Sequence, residues 1–169
     1  MLRYLTIGSI VLLVLAIAAV FVIPPLVEQS MNGVLQERPY QVSSEDSAYF
    51  SDLGFIADLH SDALLWGRDL NKRVSRGHVD IPRLIEGNVA LQAFTIVSKT
   101  PKGQNYSANT DDTDNITALM VVQARHPRTW TSLLERGLDQ AGRLAASAKI
   151  QSCVPNYHFT SRVVYIPGR

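Results

Sequence analysis

The sequence predicts an α/β domain, built on a parallel strand-helix-strand unit and preceded by an N-terminal membrane-spanning helix. Three observations carry that reading. From Tyr4 through Val27, "YLTIGSIVLLVLAIAAVFVIPPLV", there is no charged side chain, and about 20 apolar helical residues cross the hydrocarbon core of a bilayer. Leu53 to Leu59 and Val89 to Val97 are two short apolar runs, the second ("VALQAFTIV") rich in β-branched and aromatic residues. Between them "DIPRLIEGN" carries the punctuation of a short helix, the order that generates a parallel sheet.

The first element, residues 1–27, is read as an uncleaved anchor. Arg3 and the amino terminus form a short positive region, and Ala16, Ala18 and Ala19 supply small residues, so a cleaved signal peptide is the competing reading. Those alanines lie inside the apolar run, which exceeds the roughly 7–15 residues of a typical signal core, and no small-x-small site follows Val27. Arg3 favours the cytoplasm, while Glu28, Glu37, Glu45 and Asp46 follow the span. The expected location is therefore a single-pass membrane protein with its domain on the periplasmic or extracellular side.

Residues 28–51, with Pro39, Ser43 and Ser44, read as a connector, and 52–148 as the domain. Within it Asp80 is a helix N-cap, Pro82 sits in the first turn, and Gly87 or Asn88 ends the helix. The polar loop "SKTPKGQNYSANTDDTDN" follows the second strand, and its Lys99, Lys102, Asp111, Asp112 and Asp114 are expected to form a solvated surface. Next come "ITALMVVQARHP" and "TWTSLLERGLDQAGRLAASAK", both with apolar residues at helical spacing, the latter through Leu133, Leu134, Leu138 and Leu144. Trp66 and Trp130 are expected to be packing residues. Residues 149–169 form a tail of different character, with one short strand expected around Val163 to Ile166.

Composition narrows the partners. At 169 residues the chain suggests one domain, and a net charge of +1 without any basic run argues against nucleic acid, whose phosphates need clustered Lys and Arg. The single Cys153 excludes an intramolecular disulfide framework and a CxxC metal site. Beside His158 it forms a nominal nucleophile-base pair, against which stands the plainer reading of a free thiol. "NYS" at Asn105 and "NIT" at Asn115 fit glycosylation only on a eukaryotic secretory route, and otherwise are chance tripeptides in a polar loop.

The chemistry concentrates where the first apolar run ends in "DLHSD". Alternation along a strand lets His60 and Asp62 face one point, while Leu59 and Ser61 face the other. An imidazole nitrogen and a carboxylate oxygen converging there suit Zn²⁺, whose ligands sit about 2 Å away. A histidine held by a neighbouring carboxylate gives the same pattern, and "HVD" at His78 to Asp80 is a second instance in which Asp80 is explained as a cap. Spacing alone does not separate the two readings.

"ADLHSDALLWGRDL" followed by "RGHVDIPRLIEGNVALQAF" resembles the membrane dipeptidase (renal dipeptidase) family of metallopeptidases, over about Phe55 to about Ala148. The resemblance implies the N-terminal part of a (β/α)₈ TIM barrel, a dipeptide substrate, and two zinc ions bridged by a glutamate. His60 and Asp62 match the family's first two zinc ligands. Asp58 falls in the same motif, as a partner of His60 or a plain strand-end carboxylate. The family's bridging glutamate, in a Gly-rich "EGGH"-like segment, and its later histidine and aspartate ligands have no counterpart here. His126, ahead of Pro127, and His158 lack that context. A full barrel takes about 250 residues, so the barrel is expected to be incomplete in this chain. The polypeptide is then a truncated dipeptidase, inactive alone unless self-association completes the site. The alternative is a non-catalytic, membrane-anchored interaction module that keeps half a metal site.

Overall fold

The apolar N-terminus forms one continuous helix, α1 (Leu2–Met31), in the computed structural model of the chain, which describes residues 2–33 and 40–151. This helix is long and apolar enough to cross a membrane, and the other described residues leave that apolar stretch uncovered. It runs through Pro24 and Pro25, whose missing N–H groups fall near the end of the apolar run. It does not stop at Val27, because its last turns belong to the domain. Val27 packs against Leu65, Trp66, Ile116 and Met120. Glu28, 2% exposed, is enclosed between Arg68 and Arg76, the latter 2.7 Å away. Gly77 closes this pocket with φ +71°, and a Cβ there would lie 2.6 Å from Arg68 Nη2 and 3.0 Å from Glu28 Oε1. Both the left-handed backbone and the close approach call for glycine.

The stretch read as a connector contains a helix, α2 (Ser44–Asp52), capped by the Ser43 hydroxyl, which accepts from Asp46 N–H at 3.0 Å. Glu45 and Asp46 in its first turn complement the helix dipole. It buries no residue, so it has no apolar stripe for a periodicity reading to find.

The strand-helix-strand unit forms as expected. β1 (Ile56–Ser61) and β2 (Val89–Phe94) are parallel, with Ile56 opposite Val89 and Ser61 opposite Phe94. The crossover helix α3 (Ile81–Glu86) starts at Asp80, which accepts from Arg83 N–H at 3.0 Å and pairs with the Arg83 guanidinium. Pro82 lies in its first turn and Gly87 ends it. β1 runs two residues past Leu59, and β2 stops short of Val97. There the Gln140 side chain takes over the strand's pairing, accepting from Val97 N–H at 3.2 Å and donating to Val97 C=O at 3.0 Å.

Three helices follow, α4 (Asn115–Val122), α5 (Arg128–Thr131) and α6 (Leu133–Gln151), each packed on the next. Of the apolar stripe expected on α6, only Leu144 packs inward, on Ala63, Leu64, Leu70 and Ile81. Leu133, Leu134 and Leu138 are 46%, 63% and 56% exposed, while Arg136, Gln140 and Ser147 face the interior. The physical reason is Arg136. Its Nε donates to Thr129 C=O at 2.6 Å, Nη1 to Ser98 C=O at 2.5 Å and Asp114 at 2.6 Å, and Nη2 to Thr117 Oγ1 at 2.8 Å and Trp130 C=O at 2.6 Å. A guanidinium with every donor satisfied can be buried, and it turns α6 polar face inward. Asp114 accordingly leaves the solvated loop surface expected of it. It is the N-cap of α4 and the counter-ion of Arg136. Residues 152–169, with the strand expected at Val163 to Ile166, lie outside the described residues.

Candidate functional site

β1 ends at the buried Ser61, whose carbonyl accepts from Thr95 N–H at 2.9 Å. Asp62 has already left the strand, with φ −84° and ψ 19°, and opens a 3₁₀ turn, Ala63–Leu65. The pairing is irregular between Asp58 and Ser61, so simple alternation fails and Leu59, 71% exposed, faces solvent as His60 does. His60 and Asp62 still meet, brought together by the bend at the strand end. His60 Nε2 stands 3.5 Å from Asp62 Oδ1, with the side chains 73% and 47% exposed.

Two residues of β2 and its extension support this edge. The Thr95 hydroxyl donates to Asp62 Oδ1, fixing the carboxylate's direction. Gln92 Nε2 donates to Asp58 at 2.8 Å, and Asp58 accepts from His60 N–H at 3.1 Å. The bond from Gln92, then that from His60 N–H, holds the Asp58 carboxyl below the usual aspartate range. Asp58 thus hydrogen-bonds the backbone from which His60 projects, with the His60 charge a smaller influence on its carboxyl. Neither Gln92 nor Thr95 stood out in the sequence, although parallel pairing sets Gln92 directly opposite Asp58.

Two ligands of one tetrahedral zinc, each about 2 Å from the metal, stand about 3.3 Å apart, close to the spacing of this pair. The same spacing suits an ion pair with a protonated imidazole. A catalytic zinc takes three protein ligands and a structural one four. Among the described residues no group of three or more potential ligands assembles, so the pair falls short of a complete zinc site there.

The other candidates are dispersed. Asp80 is a buried cap, and His78 lies exposed in the loop before it. His126 sits in the turn between α4 and α5, where Nδ1 accepts from Arg128 N–H at 3.3 Å. Lys99 donates to Asp111 C=O and Thr110 to Asp112, bonds internal to the polar loop. Trp66 is buried at 6% exposure, and Trp130 Nε1 donates to Arg125 C=O at 2.9 Å, as expected of packing residues. Cys153 and His158 lie outside the described residues. Comparison with protein-family models, curated proteins and solved structures gives no significant match.

Proposed function

We propose that this chain carries the membrane anchor and the first strand-crossover-strand unit of a zinc-dependent membrane dipeptidase of the (β/α)₈ barrel type. His60 and Asp62 are the two metal ligands it contributes. The observation behind this reading is their 3.5 Å approach, both exposed, at the C-terminal end of a parallel strand, where barrel enzymes collect catalytic residues. Zinc, when bound, lowers the pKa of a coordinated water to about 7 and polarises a peptide carbonyl. The chain's own part is narrower. Thr95 orients the Asp62 carboxylate, and Asp58 with Gln92 fixes the backbone beneath His60. The remaining donors would come from residues beyond those described or from a second copy, and hydrolysis of dipeptides would belong to that assembly.

α1 serves as a single-pass anchor with the domain on the periplasmic or extracellular side, a reading supported by its uncovered apolar length and by Arg3 at its far end. Retention of the helix is supported by Glu28, whose burial between two arginines makes the last turns part of the fold. A non-catalytic, membrane-anchored interaction module is favoured by a separate observation. Phe55, Leu59 and Leu91 along the sheet are 65%, 71% and 48% exposed, an apolar face that invites a partner.

The test is zinc titration of the full chain in detergent, followed by the His60 imidazole signals. The expected result is a weak, saturable zinc response that Asp62→Ala removes, without dipeptide turnover by the chain alone. A chain whose imidazole ignores zinc loses the metal reading and keeps the interaction module. Turnover abolished by His60→Ala would mean that copies of the chain complete the site for one another.

A further inference from the structure

We propose that the cleft beside the foot of α1 binds the phosphate headgroup of an anionic phospholipid. The cleft holds about 510 Å³ and is lined by Tyr40, Arg73, Ser75, Gly77, His78 and Arg83 among others. Its position is the first ground, and it depends on α1 being membrane-spanning. Glu28 is the first charged side chain after Arg3, so the bilayer boundary falls at that turn. Gly77 lies against Glu28 and Arg68 and also lines the cleft. The cleft therefore opens where the helix leaves the hydrocarbon, at the level of the headgroups.

Its chemistry is the second ground. Arg83 gives Nη1 to Asp80 and Nη2 to Val74 C=O, but its Nε is buried without an acceptor. Arg73, 44% exposed, pairs through one nitrogen with Glu86, and a guanidinium has five donors. The Ser75 hydroxyl and the His78 imidazole form no hydrogen bond among the described residues. A phosphate diester supplies acceptors and one negative charge to these donors, the geometry that arginine recognises best. Charge matches as well. Among the described residues Arg68, Arg73, Arg76 and Arg83 pair here with Glu28, Asp80 and Glu86, leaving one positive charge for one headgroup. Tyr40 on the wall is a residue type that favours the membrane interface.

The experiment is native mass spectrometry of the full chain in detergent with phosphatidylglycerol or phosphatidylcholine added. Phosphatidylglycerol is expected to be retained over phosphatidylcholine, and Arg73→Gln to reduce its retention about five-fold, with His78→Gln reducing it less. Lys72→Gln, which removes an equal charge outside the cleft, should leave retention unchanged. Arg83 is kept in all variants because it holds the Asp80 cap. Equal retention of the two lipids, or equal losses in the Arg73 and Lys72 variants, overturns the site. Displacement of the lipid by inorganic phosphate reassigns the cleft to the free anion and also overturns it. Alkaline extraction separates the two failures. A chain released from membranes refutes the spanning helix and the headgroup site together, whereas one that stays embedded without lipid preference refutes the headgroup site alone.

Discussion

Arg136 with Asp114 and His60 with Asp62 are both basic groups set beside an aspartate, placed in opposite surroundings. Arg136 is 1% exposed, and its hydrogen bonds reach five acceptors across α4, α5 and the β2 extension. His60 is 73% exposed, and its imidazole comes within 3.5 Å of Asp62. Burial makes the first pair obligatory to the fold, since any unpaired member would be left desolvated. Exposure leaves the second pair with little structural duty, and the proposed ligand role is what its proximity would serve. The distinction is quantitative and can be broken by substitution.

The largest effect is expected at Arg136. Arg136→Met removes the guanidinium and leaves Asp114 and several carbonyls without their donor, which should cost about 3–5 kcal/mol. Thermal unfolding followed by the near-ultraviolet signal of the tryptophans measures it. A loss below about 1 kcal/mol would mean that the buried network is replaceable by apolar packing and would erase the contrast with His60.

Glu28 comes next. Glu28→Ala leaves Arg68, whose side chain is 3% exposed, without its counter-ion, while Arg76 at 35% can turn to water. The expected cost is about 3 kcal/mol, concentrated at the junction of α1 with the domain. Faster proteolysis within residues 71–77, with the rest of the domain still protected, is the predicted signature. Uniform loss of protection would mean that the junction and the domain unfold as one unit.

Acid should act through Asp114 more gently. Burial pushes its carboxyl up, but the bonds from Arg136, Ile116 N–H and Thr117, with the Arg136 charge, outweigh that and hold it below the ordinary aspartate range. A value depressed on folding gives stability that is present above the unfolded value and is lost as pH falls through the folded one. Asp114→Asn keeps an acceptor for Ile116 N–H but not the charge. The variant should be less stable than the parent at neutral pH, and the difference should shrink as pH falls below about 4. A gap independent of pH would show that hydrogen bonding rather than charge carries the pairing.

How much of this was legible in the sequence depends on whether the cause is local. The Asp80 cap, Pro82 and Gly87 act within one turn, and the helix they predict is α3. The parallel strands were legible because two apolar runs flank one crossover. The inward face of α6 was not, because Leu133, Leu134 and Leu138 and the set Arg136, Gln140 and Ser147 are each compatible with helical spacing. Which set turns inward is decided by five acceptors donated from other segments. Asp114 was indistinguishable from Asp111 and Asp112 for the same reason. The His60–Asp62 approach was expected from strand alternation, and it arises instead from the bend into a 3₁₀ turn.

The smallest effect on stability belongs to the pair that matters most to the proposed function. His60→Ala removes a side chain that is 73% exposed and pairs with Asp62, itself 47% exposed. Exposed pairs of this kind contribute about 0–1 kcal/mol, so the unfolding free energy should change by no more than about 0.5 kcal/mol. Asp58, held by Gln92 and by the His60 backbone N–H, keeps its partners in the variant because neither bond uses the imidazole. The pairing of β1 with β2 should therefore survive intact. A loss above about 2 kcal/mol would place His60 with Arg136 among the residues the fold requires. A near-neutral change together with loss of the zinc response separates ligand binding from stability, which is the behaviour expected of a metal ligand displayed at a strand end.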